Sequence, residues 1–598
     1  MKIGDYAFLS DCRSAVLVGR NGSVDWYCIP RFDSPSVFGR LLDGRAGHWS
    51  LRPKGDYQHE RRYIEDTLVL RTTFETRSGK AQLIEALALE SGSRGHEIGK
   101  RSPHVLLRRL EGIEGSVEMS MEFAPRFEYG LTTPHLEEDG GDLVARGGPV
   151  TLVLSATVPM EYEAGTAAAS FKIDAGESAD FALAFSSTYG EEAPVHLDVG
   201  KAIDETIESW RSWSELHTSY TGDYVSEVRL SALVLQGLTF QPSGAVIAAA
   251  TTSLPEEVGG ELNWDYRFAW LRDLSLTVRA QWVAACPDEA DGLFRFIARA
   301  GGSFVGANVQ IVYGVEGERD LTERILGHLS GWRNSRPVHV GNDAWDQLQL
   351  DVLGEVLDAA YLLKDKLGDL DEEMQSLLIG LADRAAASWQ QPDAGMWEAR
   401  DKQRQYLSSK VMCWVALDRA AKLAGALGPN ADPDRWSSVK LDIEEAVHEQ
   451  GWSHKLGAYA GAFGSDELDA SVLLLPLVGF IPATDERMRA TIDVIEAELG
   501  DAILIRRWPA EASGFIICTY WLVECLALAG ELGRARKWFE QATSFANDLG
   551  LLAEEGDVQS QELLGNFPQA FSHVGLINAA WRLTEAAAKS EAVTKGAL

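Results

Sequence analysis

The spacing of apolar residues changes once along this chain, near residue 200. Before that point, short runs mix apolar and polar positions at strand spacing. They are residues 68–76 (LVLRTTFET), 81–89 (AQLIEALAL), 116–123 (SVEMSMEF), 151–158 (TLVLSATV) and 180–186 (DFALAFS). Gly, Pro and Asp separate them, and runs of this kind read as strands. Many strands with few helical patterns predict an antiparallel β-sandwich over residues 1–200. The segment 23–35, SVDWYCIPRFDSP, is aromatic and Pro-rich. It is expected to be a strand and loop reaching toward another domain.

After residue 200 the period becomes helical. In 201–216 (KAIDETIESWRSWSEL), Ile203, Ile207, Trp210 and Trp213 share one helix face, which predicts a linker helix within 201–222. Helical spacing then continues through 223–238, 271–285, 288–301, 343–364, 371–389, 407–426, 433–450, 484–499, 513–530, 532–547 and 573–588. Helices in consecutive pairs predict a toroid of helical hairpins over 223–598. In such an (α/α) barrel the loops at one end surround a single cavity.

The 598 residues, 45% of them hydrophobic, are enough for more than one domain and large cores. The net charge of −34 argues against nucleic-acid partners and anionic membrane surfaces. The six cysteines (Cys12, Cys28, Cys286, Cys413, Cys518, Cys525) form no CxxC pair. They read as reduced thiols in a reducing compartment. The N-terminus lacks a signal-peptide pattern, and no apolar run reaches the ~18 residues of a membrane span. The expected location is cytoplasmic.

The chemistry concentrates at residues 263–274, NWDYRFAWLRDL. Four aromatics (Trp264, Tyr266, Phe268, Trp270) alternate there with Asp265, Arg267, Arg272 and Asp273. Two readings stay open: a pocket that stacks on a hydroxyl-rich ligand, or buried aromatics around one structural ion pair. Four further loops combine Trp, acids or Arg just before an apolar helix. They are 342–351 (NDAWDQLQLD), 393–400 (DAGMWEAR), 506–509 (RRWP) and 550–573 (GLLAEEGDVQSQELLGNFPQAFSH). Indoles stack on sugar faces and Arg/carboxylate sets bind hydroxyls. Glu398 beside Trp397 reads either as a desolvated general acid or as an exposed loop residue. Glu554 and Glu555 read either as surface charge or as the second carboxylate that glycoside cleavage needs. Asn566 and His573 read as satisfied core groups. No HExxH motif, close His/Cys set or GxSxG elbow occurs, and His448-Glu449 with His454 is wrongly spaced for one helix face. No metal or cofactor is expected.

The ordered series WDYRFAWLRD, NDAWDQLQLD, WEARD before SSKVMCWVALDRA, RRWP before GFIICTYWLVE, and AEE before GNFPQAFSH resembles glycoside hydrolase family 15. That family comprises glucoamylases, glucodextranases and some bacterial trehalases. The N-terminal GDYAFLSDCRSAVLVGRNGSVDWYCIPRFDSPSVFGRLLD resembles its bacterial, trehalase-like branch. The resemblance runs from about residue 3 to 585. It implies an N-terminal β-sandwich, a C-terminal (α/α)6 barrel and a small carbohydrate substrate.

Carried over by position, Glu398 matches the general acid. Glu554 matches the base that activates water, with Glu555 as the alternative. Arg272 and Asp273 match the pair that holds the terminal glucose, and Arg507 the arginine of an R-aromatic-P motif. Trp345 and Trp397 match stacking aromatics, and Trp270 joins them as a substrate-facing ring. Ala399 stands where glucoamylases usually carry a second acid. The expected activity is inverting, exo-acting hydrolysis of a short α-glucoside, a malto- or isomalto-oligosaccharide, releasing β-glucose. Trehalose hydrolysis is the alternative. A glycoside phosphorylase of related architecture and a non-catalytic sugar-binding protein are further rivals. A phosphorylase should lack an acid at 554, and a binding protein one of the two acids. Nothing in the sequence sets the oligomeric state.

Overall fold

A computed structural model of the protein describes residues 1–189, 197–283, 287–302, 309–365, 370–400 and 402–596. An N-terminal antiparallel β-sheet domain precedes a C-terminal helical domain. The sheet hinges on one twenty-residue strand, Val105–Ala124. Its first half pairs with Gly79–Leu87 and Ser178–Ser187. Its second half pairs with His48–Pro53 and Thr166–Asp174. The changeover falls at Gly112–Gly115, where the register against Gly79–Leu87 also slips. A Cβ at Gly112 would sit 2.1 Å from the Asp174 carbonyl oxygen, and Gly115 has φ +62°. Glycine is therefore required where the strand passes between two sets of neighbours. The two halves meet through side chains: Trp49 contacts both Phe123 and Phe181 edge-on.

The first half of this strand has no strand reading in the sequence, because VLLRRL carries adjacent arginines. The structure shows why they fit. Arg108 is fully buried, paired with the equally buried Glu85 at 2.8 Å, and donates to the carbonyls of Trp49 and Gly22. Strands before residue 68, such as Tyr6–Ser10, Ala15–Gly19 and His48–Pro53, likewise go beyond the sequence reading. Segment 23–35 does reach across. The Trp26 indole donates to the Ala250 carbonyl at 2.8 Å, and Arg267 donates to the Ser34 carbonyl at 2.9 Å.

The expected linker helix is Val199–Ser214, capped by Asp198, whose side chain accepts from the Lys201 amide. It lies on the sheet domain: Thr206 Oγ1 accepts from the Leu89 amide, and Ser209 Oγ donates to the Ser93 carbonyl. The later helices fall close to their predicted spans. The exceptions are Ala570–Gly596, which outruns its predicted span of 573–588, the unpredicted Leu474–Leu477, and residues 343–364. A 3-10 turn, Asp343–Asp346, and an irregular stretch precede the helix Asp351–Leu362. The Asn342 side chain caps the turn, and Asp393 Oδ2 accepts from the Leu350 amide, so side chains take hydrogen bonds that a continuous helix would have made. Helix Leu271–Val283 packs on Asp351–Leu362, which packs on Leu407–Leu427. That helix meets the short Leu474–Leu477, which meets Ile516–Leu528, then Ala570–Gly596, which returns to Leu271–Val283. Among the described residues no helix is long and apolar enough to cross a membrane. The described cysteines are buried and unpaired, and Cys286 lies outside the described residues.

Asp351 opens its helix fully buried, with its carboxyl pushed up to about 7 by burial and then by the neighbouring Asp393. The folded chain keeps this proton up to that pH, whereas the unfolded chain releases it near ~4. The native state thus binds more protons between those values, and stability falls as pH rises, by at most about 4 kcal/mol from this group. Asp351→Asn should therefore melt higher than the wild type at pH 8 and gain nothing at pH 4, as checked by thermal melts at both.

Candidate active site

The helical domain encloses a cavity of about 1030 Å³ at the loop ends preceding its helices. The stretch 263–274 divides its labour there. Asp265 and Arg267 form a buried pair at 2.7 Å, with the arginine also donating to Tyr129 Oη of the sheet domain. They are structural. Trp264, Tyr266, Trp270, Arg272 and Asp273 line the cavity. The structural reading thus holds for Asp265 and Arg267, while the other residues form part of a cavity wall.

Three of the four further loops, 393–400, 506–509 and 550–573, contribute side chains to this cavity, and 342–351 is not among its described lining. Glu398 lines it, and its Oε1 accepts from Trp270 Nε1 at 2.7 Å and Arg272 Nη1 at 3.3 Å. Burial raises its pKa, opposed by the Arg272 charge and the indole hydrogen bond. Glu398 has φ +59°, the left-handed region that costs a non-glycine residue ~1–3 kcal/mol. The turn is held by amide bonds from Glu398 to the Gly395 carbonyl and from Ala399 to the Ala394 carbonyl. Arg272 also donates to the Met396 carbonyl and, at 3.0 Å, to Asp273. Burial raises Asp273 against the pull of Arg272.

Glu554 lines the same cavity, while the adjacent Glu555 turns away to accept from Arg507 at 3.1 Å and from the Ser513 hydroxyl. Gln569 Nε2 lies 3.4 Å from Glu554 Oε1. The Glu554 carboxyl is pushed up to about 8, first by burial and then by the Glu256 carboxylate, with Arg507 opposing. Gly565 makes room for it: a Cβ there would fall 2.7 Å from Glu554 Cβ, at φ +76°.

Arg507 reaches the cavity, but its guanidinium is occupied by carboxylates. It donates to Glu256 at 2.5 Å, to Glu555, and to Glu511. It also lies 4.5 Å over the Phe515 ring. Trp397 lines the cavity, with its indole donating to Asp469 at 2.9 Å. Trp345 sits partly buried on the turn Asp343–Asp346 and is not among the described residues lining the cavity. Asn566 and His573 are satisfied core groups. Asn566 accepts from Thr251 and donates to the Trp264 carbonyl. His573 is held neutral by burial, its pKa lowered to about 3.

Sequence reasoning missed Glu256, Asp469, Glu511 and Gln569. Glu256 lies in a Gly-rich loop, LPEEVGG, with no periodic signal. Asp469 does carry one: its side chain caps the turn Ala470–Leu473, a DxS start before an apolar run. That signal marks a helix start rather than a partner for Trp397. Together the cavity wall carries Glu398 and Glu554 among several carboxyl groups, the Arg272–Asp273 pair and several aromatic faces. Glycosidic-bond hydrolysis uses a pair of carboxyl groups facing the bond.

Residues 226–581 match glycosyl hydrolases family 15, and residues 1–194 match the trehalase-like N-terminal family. The chain is 38% identical over 610 residues to a trehalase of Mycolicibacterium smegmatis, covering 96% of this chain and 90% of that protein. It is 33% identical over 602 residues to a trehalase of Thermoplasma volcanium, covering 98% and 94%. A bacterial glucoamylase complexed with acarbose superposes with a TM-score of 0.73 at 14% identity, covering 98% of this chain and 94% of that one, which shows a shared glucoamylase-like fold. The chain belongs to glycosyl hydrolase family 15 and is a glycoside hydrolase.

Proposed function

We propose that this protein hydrolyses α,α-trehalose with inversion at one anomeric carbon. The observation that carries the reading is the identity to trehalases across nearly the whole length of both chains. The malto- or isomalto-oligosaccharide expected from sequence draws support only from a 14%-identical glucoamylase, a likeness of fold. Ala399, in place of a second acid after Glu398, also speaks against a glucoamylase. The cyclic packing of the six helices that starts and ends at Leu271–Val283 supports an (α/α)6 barrel over residues 223–598. The two sets of strands around Val105–Ala124 support a sandwich over 1–200, with 201–222 as the connecting helix. The described cysteines, buried and unpaired, support a reducing compartment such as the cytoplasm.

In this mechanism Glu398 donates its proton to the bridging oxygen, and Glu554 takes a proton from water attacking the opposite face. Arg272 and Asp273 hold hydroxyls of the glucose being attacked. Arg507 holds Glu256, Glu511 and Glu555 in place and moderates the charge beside the base. Trehalose joins two anomeric carbons, so attack inverts one and leaves the other unchanged. Each turnover therefore yields one β-glucose and one α-glucose. The test is glucose release from trehalose, maltose, isomaltose, kojibiose, nigerose and soluble starch, without added phosphate, with early products followed by NMR. Trehalose should give the highest kcat/KM, with equal α and β anomers before mutarotation. A preference for maltose would overturn the substrate, and two α-glucoses would overturn inversion.

A further inference from the structure

Outside the cavity, three residues distant in sequence converge at the junction of the two domains. His96 lies on a 3-10 turn of the sheet domain, Gly95–Glu97. His217 follows the connecting helix Val199–Ser214, and Glu289 stands in the first turn of Pro287–Gly302. Each offers one ligand atom, and these atoms all lie within 4.8 Å of one another. His96 Nδ1 is 2.6 Å from Glu289 Oε1, and His217 Nε2 is 3.8 Å from Glu289 Oε2.

The His217 side chain is 2% exposed, yet neither of its ring nitrogens has a hydrogen-bond partner. Glu289 Oε2 is likewise buried without one. Buried polar atoms are nearly always satisfied, so orphaned nitrogen and oxygen atoms facing each other call for a third group between them. The surroundings are arranged to leave those atoms free. In this structure His96 Nδ1 shares a hydrogen bond with Glu289 Oε1, which an ion would replace, and Asp288 Oδ2, 3.2 Å from Nε2, is placed to hold the remaining ring proton once Nδ1 turns to the ion. The Trp213 indole donates to Glu289 Oε1 at 3.0 Å, leaving Oε2 to a ligand. Such outer contacts orient metal ligands.

The geometry points to a divalent transition-metal site, best suited to Zn²⁺, that ties the sheet domain to the helical domain through His96, His217 and Glu289. Two imidazoles and a carboxylate favour Zn²⁺ over Mg²⁺ or Ca²⁺, which prefer all-oxygen shells. Water completes the tetrahedron on the side of His96, whose side chain is 36% exposed and gives access. Sequence spacing hides the set, because the ligands come from three separate elements. The ion binds the folded junction only, so it stabilises the native chain by mass action. Its role is structural, and it is independent of the substrate proposed above.

The test uses the untagged full-length protein, stripped with chelator and titrated with Zn²⁺ by calorimetry, with Co²⁺ absorption and thermal melting alongside. One Zn²⁺ per chain, a tetrahedral Co²⁺ spectrum and a melting temperature that rises with Zn²⁺ are expected. His217→Gln and Glu289→Gln should weaken binding by roughly 100-fold or more. Should those buried variants fail to fold, His96→Ala at the accessible edge carries the test and should show the same loss. Absence of stoichiometric binding, or binding by His96→Ala equal to the wild type, would overturn the site.

Discussion

Glu554→Gln should lower kcat on trehalose by about 10³-fold while leaving KM within a few-fold of the wild type. The amide keeps the shape of the side chain in the space that Gly565 leaves for it, but it cannot take a proton from water. Glu555→Gln should cost less, because Glu555 faces Arg507 and Ser513 rather than the cavity, and acts through their positions. Comparing the two variants decides between adjacent acids that sequence alone leaves as alternatives. The pH dependence follows with a definite sign. A base works only when ionised, and burial with the Glu256 carboxylate pushes Glu554 up to about 8. In the wild type, kcat/KM should therefore fall as pH drops through a midpoint well above the ordinary glutamate range. Equal losses in both variants, or a Glu554→Gln enzyme of near-wild-type kcat, would remove Glu554 from the role of base.

Glu398→Gln should lower kcat on trehalose by a comparable ~10²–10⁴-fold and lose little on α-glucosyl fluoride. A sugar hydroxyl leaves poorly unless protonated, whereas fluoride departs as an anion and needs no acid. An acid must hold its proton at working pH. Burial raises Glu398, and Arg272 with the Trp270 indole opposes it, so alkaline loss of activity in the wild type should track release of this proton. That alkaline limb should vanish from the fluoride profile of Glu398→Gln. Equal losses on both substrates would instead indicate a damaged turn, since the residue sits at φ +59°.

Much of this molecule is readable from residue order. The change from strand to helical spacing near residue 200 places the two kinds of structure, because both periods are local properties of the backbone. The helices missed or misjoined are those governed by distant partners. Asp393 receives the Leu350 amide and so belongs to the start of Asp351–Leu362, forty residues earlier. The strand half around Arg108 is opaque for the same reason: its ion-pair partner is Glu85 on a neighbouring strand. The resemblance to glycoside hydrolase family 15 nominates Glu398, Glu554, Arg272 and Asp273, and all four line the cavity. Of the carboxylates gathered on Arg507, Glu256 and Glu511 have no such order to reveal them.

What the sequence by itself determined is the class of structure, since period and turn residues are carried along the chain; the candidate acids came with the resemblance that the ordered motifs carry. What only the tertiary structure decided is which atoms face which. It put Glu554 in the cavity and Glu555 against Arg507. It divided 263–274 between a buried local ion pair, whose arginine also reaches Tyr129 of the sheet domain, and the cavity wall. It also brought His96, His217 and Glu289 into one cluster. Burial and charge act through space, so the raised proton affinities of Glu398 and Glu554 arise only when the chain has closed around them.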